Sequence, residues 1–312
     1  MTTFVFLIVY VGLVSFLVAS LVRAVMYARQ PLHLRWELYP VPHEPSERVA
    51  HGGSYFEESK WWEKPRTVNR LTELKFMLSE MLFLKALWEF NRGLWFRSFP
   101  FHAGLYLLIA SVKLLILSAL LAIFWPAAMA GAFGAVLGAL VAVCGALGAF
   151  LAMIGAFALL LKRLRDPDLK NYTAPGDIFN LLFFLAAFGV LAAGYLLRGP
   201  DYPGTVAMAV ALFTFDTSVR IPILLAAGLI LMSLLITYIP LTHMAHYVGK
   251  YFTYHSIRWD DLPANEANEI QQKIAQYLAY RPHWSAPHIR ADGQKTWAEI
   301  ATTNPHAGGQ SK

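Results

Sequence analysis

Five apolar stretches, at roughly 3–28, 101–125, 131–161, 178–197 and 221–246, leave this chain very few folds to choose from. Each matches the roughly 20 residues that a helix needs to cross about 30 Å of hydrocarbon. Hydrophobic residues make up 57% of the 312 and charged residues 15%, so polar surface is too scarce to wrap five such segments in water. Inside a bilayer each segment must pair its own backbone N–H and C=O groups, and only helices do that without a closed barrel. An all-α membrane protein with a five-transmembrane-helix bundle is therefore expected.

The basic residues orient it. Eleven Lys and Arg fall between 29 and 100, and Lys162, Arg163, Arg165 and Lys170 crowd the next loop on that side. The opposite connections are nearly bare: 126–130 carries no positive charge, and 198–220 only Arg198 and Arg220. By the positive-inside rule the N-terminus is outside and the C-terminus in the cytoplasm, in the cell's inner membrane. No basic residue precedes the first run and no small-residue cleavage site follows it, so it reads as a retained span. The net charge of +6 is then a topological and lipid-rim signal, and needs no nucleic acid. Cys144 stands alone, which excludes an iron–sulfur cluster, a CxxCH attachment or a disulfide within this chain.

Segment 29–70 is rich in Pro, Trp and Glu and reads as an ordered extended loop, either a docking surface or a self-packed cap. Over 71–96, Leu74, Met77, Leu78, Met81, Leu84 and Trp88 share one helical face, as in a cytoplasmic interfacial helix. The third span repeats small residues, with Gly134, Gly138, Gly145, Gly148 and Gly155, a pattern of close helix packing or of room made for a cofactor. The expected domains are 1–250, a transmembrane domain that includes the loop and interfacial helix 29–100, and a cytoplasmic tail 251–312.

Two histidines carry the chemistry. His102 opens the second span, in what reads as its first turn, and His246 closes the fifth, so both imidazoles stand at the cytoplasmic face. Two imidazoles from separate helices at one depth are able to supply both axial ligands of a haem iron. His243, one turn before His246 and within about 60° of it on a continuous helix, is the alternative second ligand. Arg97 and Lys250 flank the pair as partners for haem propionates. Lys113 lies eleven residues past His102, about 16 Å deeper at the helical rise, where an ammonium is costly and a candidate quinone contact. Thr237 and Tyr238 are polar groups at comparable depth on the fifth span.

The chain resembles the nitrate reductase gamma-subunit family of membrane cytochromes b, in the branch associated with heterodisulfide-reductase-like iron–sulfur proteins. The likeness rests on the FHAG opening of the second span, on Pro240 followed six residues later by His246, and on the WELYPVPHE, GGSYFEE and SFPFHAGLYL stretches. It implies haem b, a quinone, normally menaquinone, a cytoplasmic iron–sulfur partner and further respiratory-complex subunits. The matching haem positions are His102 and His246. Where the family's second haem pair would stand, this chain has Val112 and Gly228, so one haem is expected. Two rivals differ in class. A haem-free anchor of a redox complex would lack a haem band, and a small-solute transporter would call for inverted repeats or broken helix pairs.

Overall fold

The computed structural model describes residues 1–29, 40–52, 54–263, 269–284, 289 and 291–304. Among these, the regular elements are helices. The spans are α1 (Thr2–Ala28), α3 (Arg92–Phe124), α4 (Ala132–Arg165), α5 (Pro175–Leu196) and α7 (Ile223–Tyr238), with α2 (Arg70–Phe83) before α3 and α6 (Thr205–Thr214) between α5 and α7. The five spans are long and apolar enough to cross a membrane, the fifth over Ile223–Leu241. Leu7, Val11, Val14, Leu17, Val18 and Leu21 of α1 are each at least half exposed, a surface that lipid covers and water would not tolerate. The described residues fall into two compact units, one drawn from 1–23 and 71–246 and the other from 24–70 and 247–304.

In the first unit, glycines set the helix contacts. A Cβ on Gly104 would meet the Ala152 Cα at 2.9 Å and one on Gly148 would meet the Gly104 carbonyl oxygen at 2.9 Å, so α3 and α4 touch backbone to backbone. Ser111 Oγ donates across this contact to the Val141 carbonyl at 2.8 Å. The small-residue stripe of the third span is thus helix packing, although Gly138 itself faces open space. Gly228 and Gly194 do the same between α7 and α5, and Gly12 lets α1 approach Ser233 of α7. Phe101, Ala152, Ala156, Leu160, Leu181, Phe184, Phe188 and Leu235 form the core among α3, α4, α5 and α7. Val5, Phe6, Ala211, Ile221, Leu225 and Ala226 form a second core around α6, where the Tyr10 hydroxyl donates to the Leu212 carbonyl.

Several boundaries differ from the sequence reading. The 71–96 segment is not one helix: Leu84 takes a left-handed backbone (φ 51°), and a short helix, Lys85–Phe90, follows. Glu80, buried, accepts from the Ala86 N–H at 2.9 Å and so caps that turn. Asn91 then caps α3 by accepting from the Leu94 N–H at 3.0 Å, so α3 starts at Arg92 and His102 lies in its third turn, past an internal Pro100. The fifth span ends early, because Pro240 and an extended Thr242 (φ −116°, ψ −177°) interrupt it before α8 (His246–Thr253) begins.

The loop 40–70 groups with the C-terminal segment, not with the spans, so the expected boundary at 250 does not describe the units. Asp261, 2% exposed, is the centre of this second unit. Its carboxylate accepts from His43 Nε2 at 2.9 Å and the Tyr55 hydroxyl at 2.8 Å, and pairs with Arg66. Burial opposes its ionisation, yet the bonds from His43 and Tyr55 and the charges of His43 and Arg66 prevail, holding the carboxyl below its ordinary range. Glu44, also buried, accepts from Ser54 Oγ at 2.9 Å. The PHE and SYF stretches noted in the sequence therefore fold onto each other and onto Asp261, as a self-packed unit.

Candidate functional site

His102 is held from two sides. Phe101, beside it, packs edge-on against Phe184 at 5.0 Å and lies over Gly155, where no side chain fits, which fixes the backbone of that turn. The imidazole Nδ1 bonds the Ser98 carbonyl, one turn back, at 2.8 Å. A carbonyl only accepts, so Nδ1 carries the hydrogen and Nε2 presents its lone pair. The Tyr106 ring stands 6.5 Å away on the same helix, its hydroxyl donating to the Met81 carbonyl.

His246 arrives by another route. After α7, one turn of 3-10 helix (Ile239–Leu241), the extended Thr242 and a second such turn (His243–Ala245) lead into α8. Thr242 Oγ1 accepts from the Met244 N–H at 3.2 Å, and Arg23 of α1 donates to the Pro240 and Leu241 carbonyls at 3.0 and 3.1 Å. The result is that the His102 and His246 rings are neighbours in an edge-on arrangement, with centroids 6.3 Å apart and planes at 61°.

His243 does not share that face. With the helix broken at Thr242, its Nε2 lies 3.3 Å from Asp177 Oδ1 and 3.3 Å from Asn180 Nδ2, both on α5. Thus the 60° relation expected of a continuous helix does not hold, and His246 is the histidine next to His102.

The ring separation meets the spacing that two axial ligands of one haem iron require. Imidazoles bound to one metal from opposite sides through bonds of about 2 Å keep their ring centroids roughly 6 Å apart, close to the separation seen. A bare ion wants three or four protein ligands, and among the described residues no group of three His, Cys, Asp or Glu could hold one. A porphyrin brings its own four nitrogens and needs two axial donors.

The other expected site residues scatter. Lys250 lies one turn past His246 on α8 and so on the same side of that helix. Arg97 sits about 140° around α3 from His102, its guanidinium bonded to the Gly93 carbonyl. Lys113 belongs to the outward stripe of α3 with Ile109, Val112, Ile116, Leu117 and Leu120, all exposed. Thr237 bonds the Ser233 and Gly12 carbonyls, and the Tyr238 hydroxyl donates to Asn180 Oδ1 at 2.9 Å. Lys113, Thr237 and Tyr238 therefore face three different neighbours and do not form one pocket. Val112 faces outward, and Gly228 is pressed against Leu191.

Ser98, Arg23, Asp177 and Asn180 escaped the sequence reading. Asp177 carried a signal, being the sole carboxylate in the five spanning helices. No family model, curated protein or solved structure matches this chain.

Proposed function

We propose that the chain is a haem b-containing membrane subunit of a respiratory complex, exchanging electrons between a quinone of the menaquinone class and a cytoplasmic iron–sulfur partner. The observation that carries this reading is the adjacent pair His102 and His246, with ring centroids 6.3 Å apart. Haem, when bound, supplies an iron that takes up and gives back one electron at a time.

The chain's own residues do the holding. The Ser98 carbonyl fixes the His102 tautomer and makes its Nε2 a stronger donor, as such outer bonds do for metal-bound imidazoles. Arg23 pins the end of the fifth span, and with it the turn that delivers His246. Lys250, and Arg97 with a change of rotamer, are the cations for the propionates. By the positive-inside rule, Lys75, Lys85, Arg92 and Arg97 with the basic loop 162–170 support a cytoplasmic position for this end of the bundle, the side where an iron–sulfur partner would dock. The heterodisulfide-reductase-like character of that partner follows from the family resemblance.

Purification of the intact complex in mild detergent tests the reading. A b-type haem spectrum together with a co-purifying iron–sulfur subunit is expected. The same partners without a haem band would make the chain a membrane anchor.

A further inference from the structure

Beside the histidine pair, the same end of the first unit holds a second cluster, built from α5 and the turn after α7. Asp177 is its charged centre. Oδ1 faces His243 Nε2 at 3.3 Å, while Oδ2 accepts from Arg163 of α4 at 3.3 Å and from the Ala174 N–H at 3.0 Å. Asn180, 5% exposed, accepts from the Tyr238 hydroxyl at Oδ1, and its Nδ2 lies 3.3 Å from His243 Nε2. The His243 side chain itself is 65% exposed.

Beside these polar groups, the rings of Phe179 and Phe183 of α5 and Tyr238 of α7 lie 5.6–5.8 Å from one another, their planes tilted by 43–78°. Phe179 is 52% exposed on the bundle's outer surface, where lipid would reach it. The half-exposed Phe179 ring, next to an imidazole–carboxylate pair, suits a ligand that is a planar ring with an oxygen at its edge.

We infer that this cluster receives the quinone headgroup, an assignment that rests on the quinone-linked function proposed above. The ring lies on Phe179 with Tyr238 edge-on beside it, and one headgroup oxygen bonds His243 Nδ1. In the tautomer with the hydrogen on Nε2, that hydrogen goes to Asp177 Oδ1, the Asn180 amide makes no bond to Nε2, and the Nδ1 lone pair is left for that oxygen. When a hydroquinone is oxidised, its O–H bond breaks and the proton passes to Nδ1. The imidazolium so formed sits against Asp177, whose charge Arg163 partly offsets, and the proton leaves to water through the exposed edge of the ring. Each hydroquinone gives up two protons and two electrons in this way; a haem held by His102 and His246 would be the one-electron acceptor that this balance needs. Reduction of a quinone runs the same steps backwards. His243 and the ligand His246 are three residues apart, so proton and electron part company over a short distance.

The test is binding of a short-chain naphthoquinone to the purified complex by equilibrium dialysis, with the haem spectrum of each sample recorded. His243→Gln, Asp177→Asn and Phe179→Ala should each weaken binding by about tenfold or more, the effect of losing one charge-assisted bond or one stacking ring. Because Phe179 is exposed, Phe179→Ala keeps the test alive if a polar variant misfolds. Binding within twofold of the unsubstituted protein in all three variants would overturn the assignment. So would a loss confined to Lys113→Leu, which would move the site to the mid-membrane face of α3. A protein without haem that still loses naphthoquinone binding on His243→Gln would keep this site and remove the cytochrome reading.

Discussion

Gly155 of α4 lies so close to Phe101 of α3 that a methyl group on it would stand 2.6 Å from the Phe101 Cα. No rotamer relieves a clash with backbone, so the two helices must part. Phe101 precedes His102, and the separation would carry the imidazole away from His246. Gly155→Leu is expected to abolish haem retention without touching either ligand, at an overpacking cost of about 1–3 kcal/mol or more. Gly138→Leu, on the same helix but with nothing near its Cβ position, should be neutral. Haem content of the two purified variants checks this, and equal retention in both would contradict it.

Asp261 gives the second unit an acid limit. Its carboxyl is held below its ordinary value, so the stability it adds is fully present above the unfolded value of about 4 and fades as pH falls through the lower folded value. Asp260, whose carboxyl burial pushes up, works in the opposite sense but has no comparable set of donors. Asp261→Ala should cost the unit about 2–4 kcal/mol at neutral pH, because His43 and Tyr55 lose their acceptor. Faster hydrogen exchange across 40–63 would show it, and unchanged exchange would not fit the network described.

Lys113 is an exposed cation in an apolar stripe, and the five spans offer no carboxylate at its depth. Its short stem does not reach the headgroups from mid-membrane. Lys113→Leu should therefore leave the haem spectrum unchanged and raise the melting temperature of the chain in lipid nanodiscs, in line with the cost of about 3 kcal/mol for a central lysine. A lowered melting temperature would mean that the lysine has a partner that holds the bundle.

The spans were legible because twenty apolar residues have one outcome in a bilayer, and the pairing of His102 with His246 followed from their shared end. Ends were harder. Pro100 looks like a helix start, yet Asn91 supplies the cap and α3 runs straight through the proline. Thr242 gave no sign of its extended backbone, and that single residue separates the directions of His243 and His246. The Asp261 network joins segments about two hundred residues apart, which no local pattern encodes. Whether Lys113 faced inward was readable only once Gly104 and Ser111 were known to face α4.

One haem per chain is expected. Val112 points outward from α3, and a side chain on Gly228 would meet the Leu191 Cα at 2.5 Å, so neither position serves a second pair. His43 is committed to Asp261 in the other unit, and His33 lies outside the described residues. Pyridine haemochrome quantitation against protein mass should give a ratio near one. A ratio of two would require a ligand pair not identified above.

The reduced-minus-oxidised optical spectrum of single-histidine variants bears most directly on the central claim. A low-spin b-type band should appear in the unsubstituted complex, vanish in His102→Ala and in His246→Ala, and persist in His243→Ala, whose imidazole faces Asp177. Absence of any haem band from the intact complex, or a band that survives both His102→Ala and His246→Ala, would contradict the account.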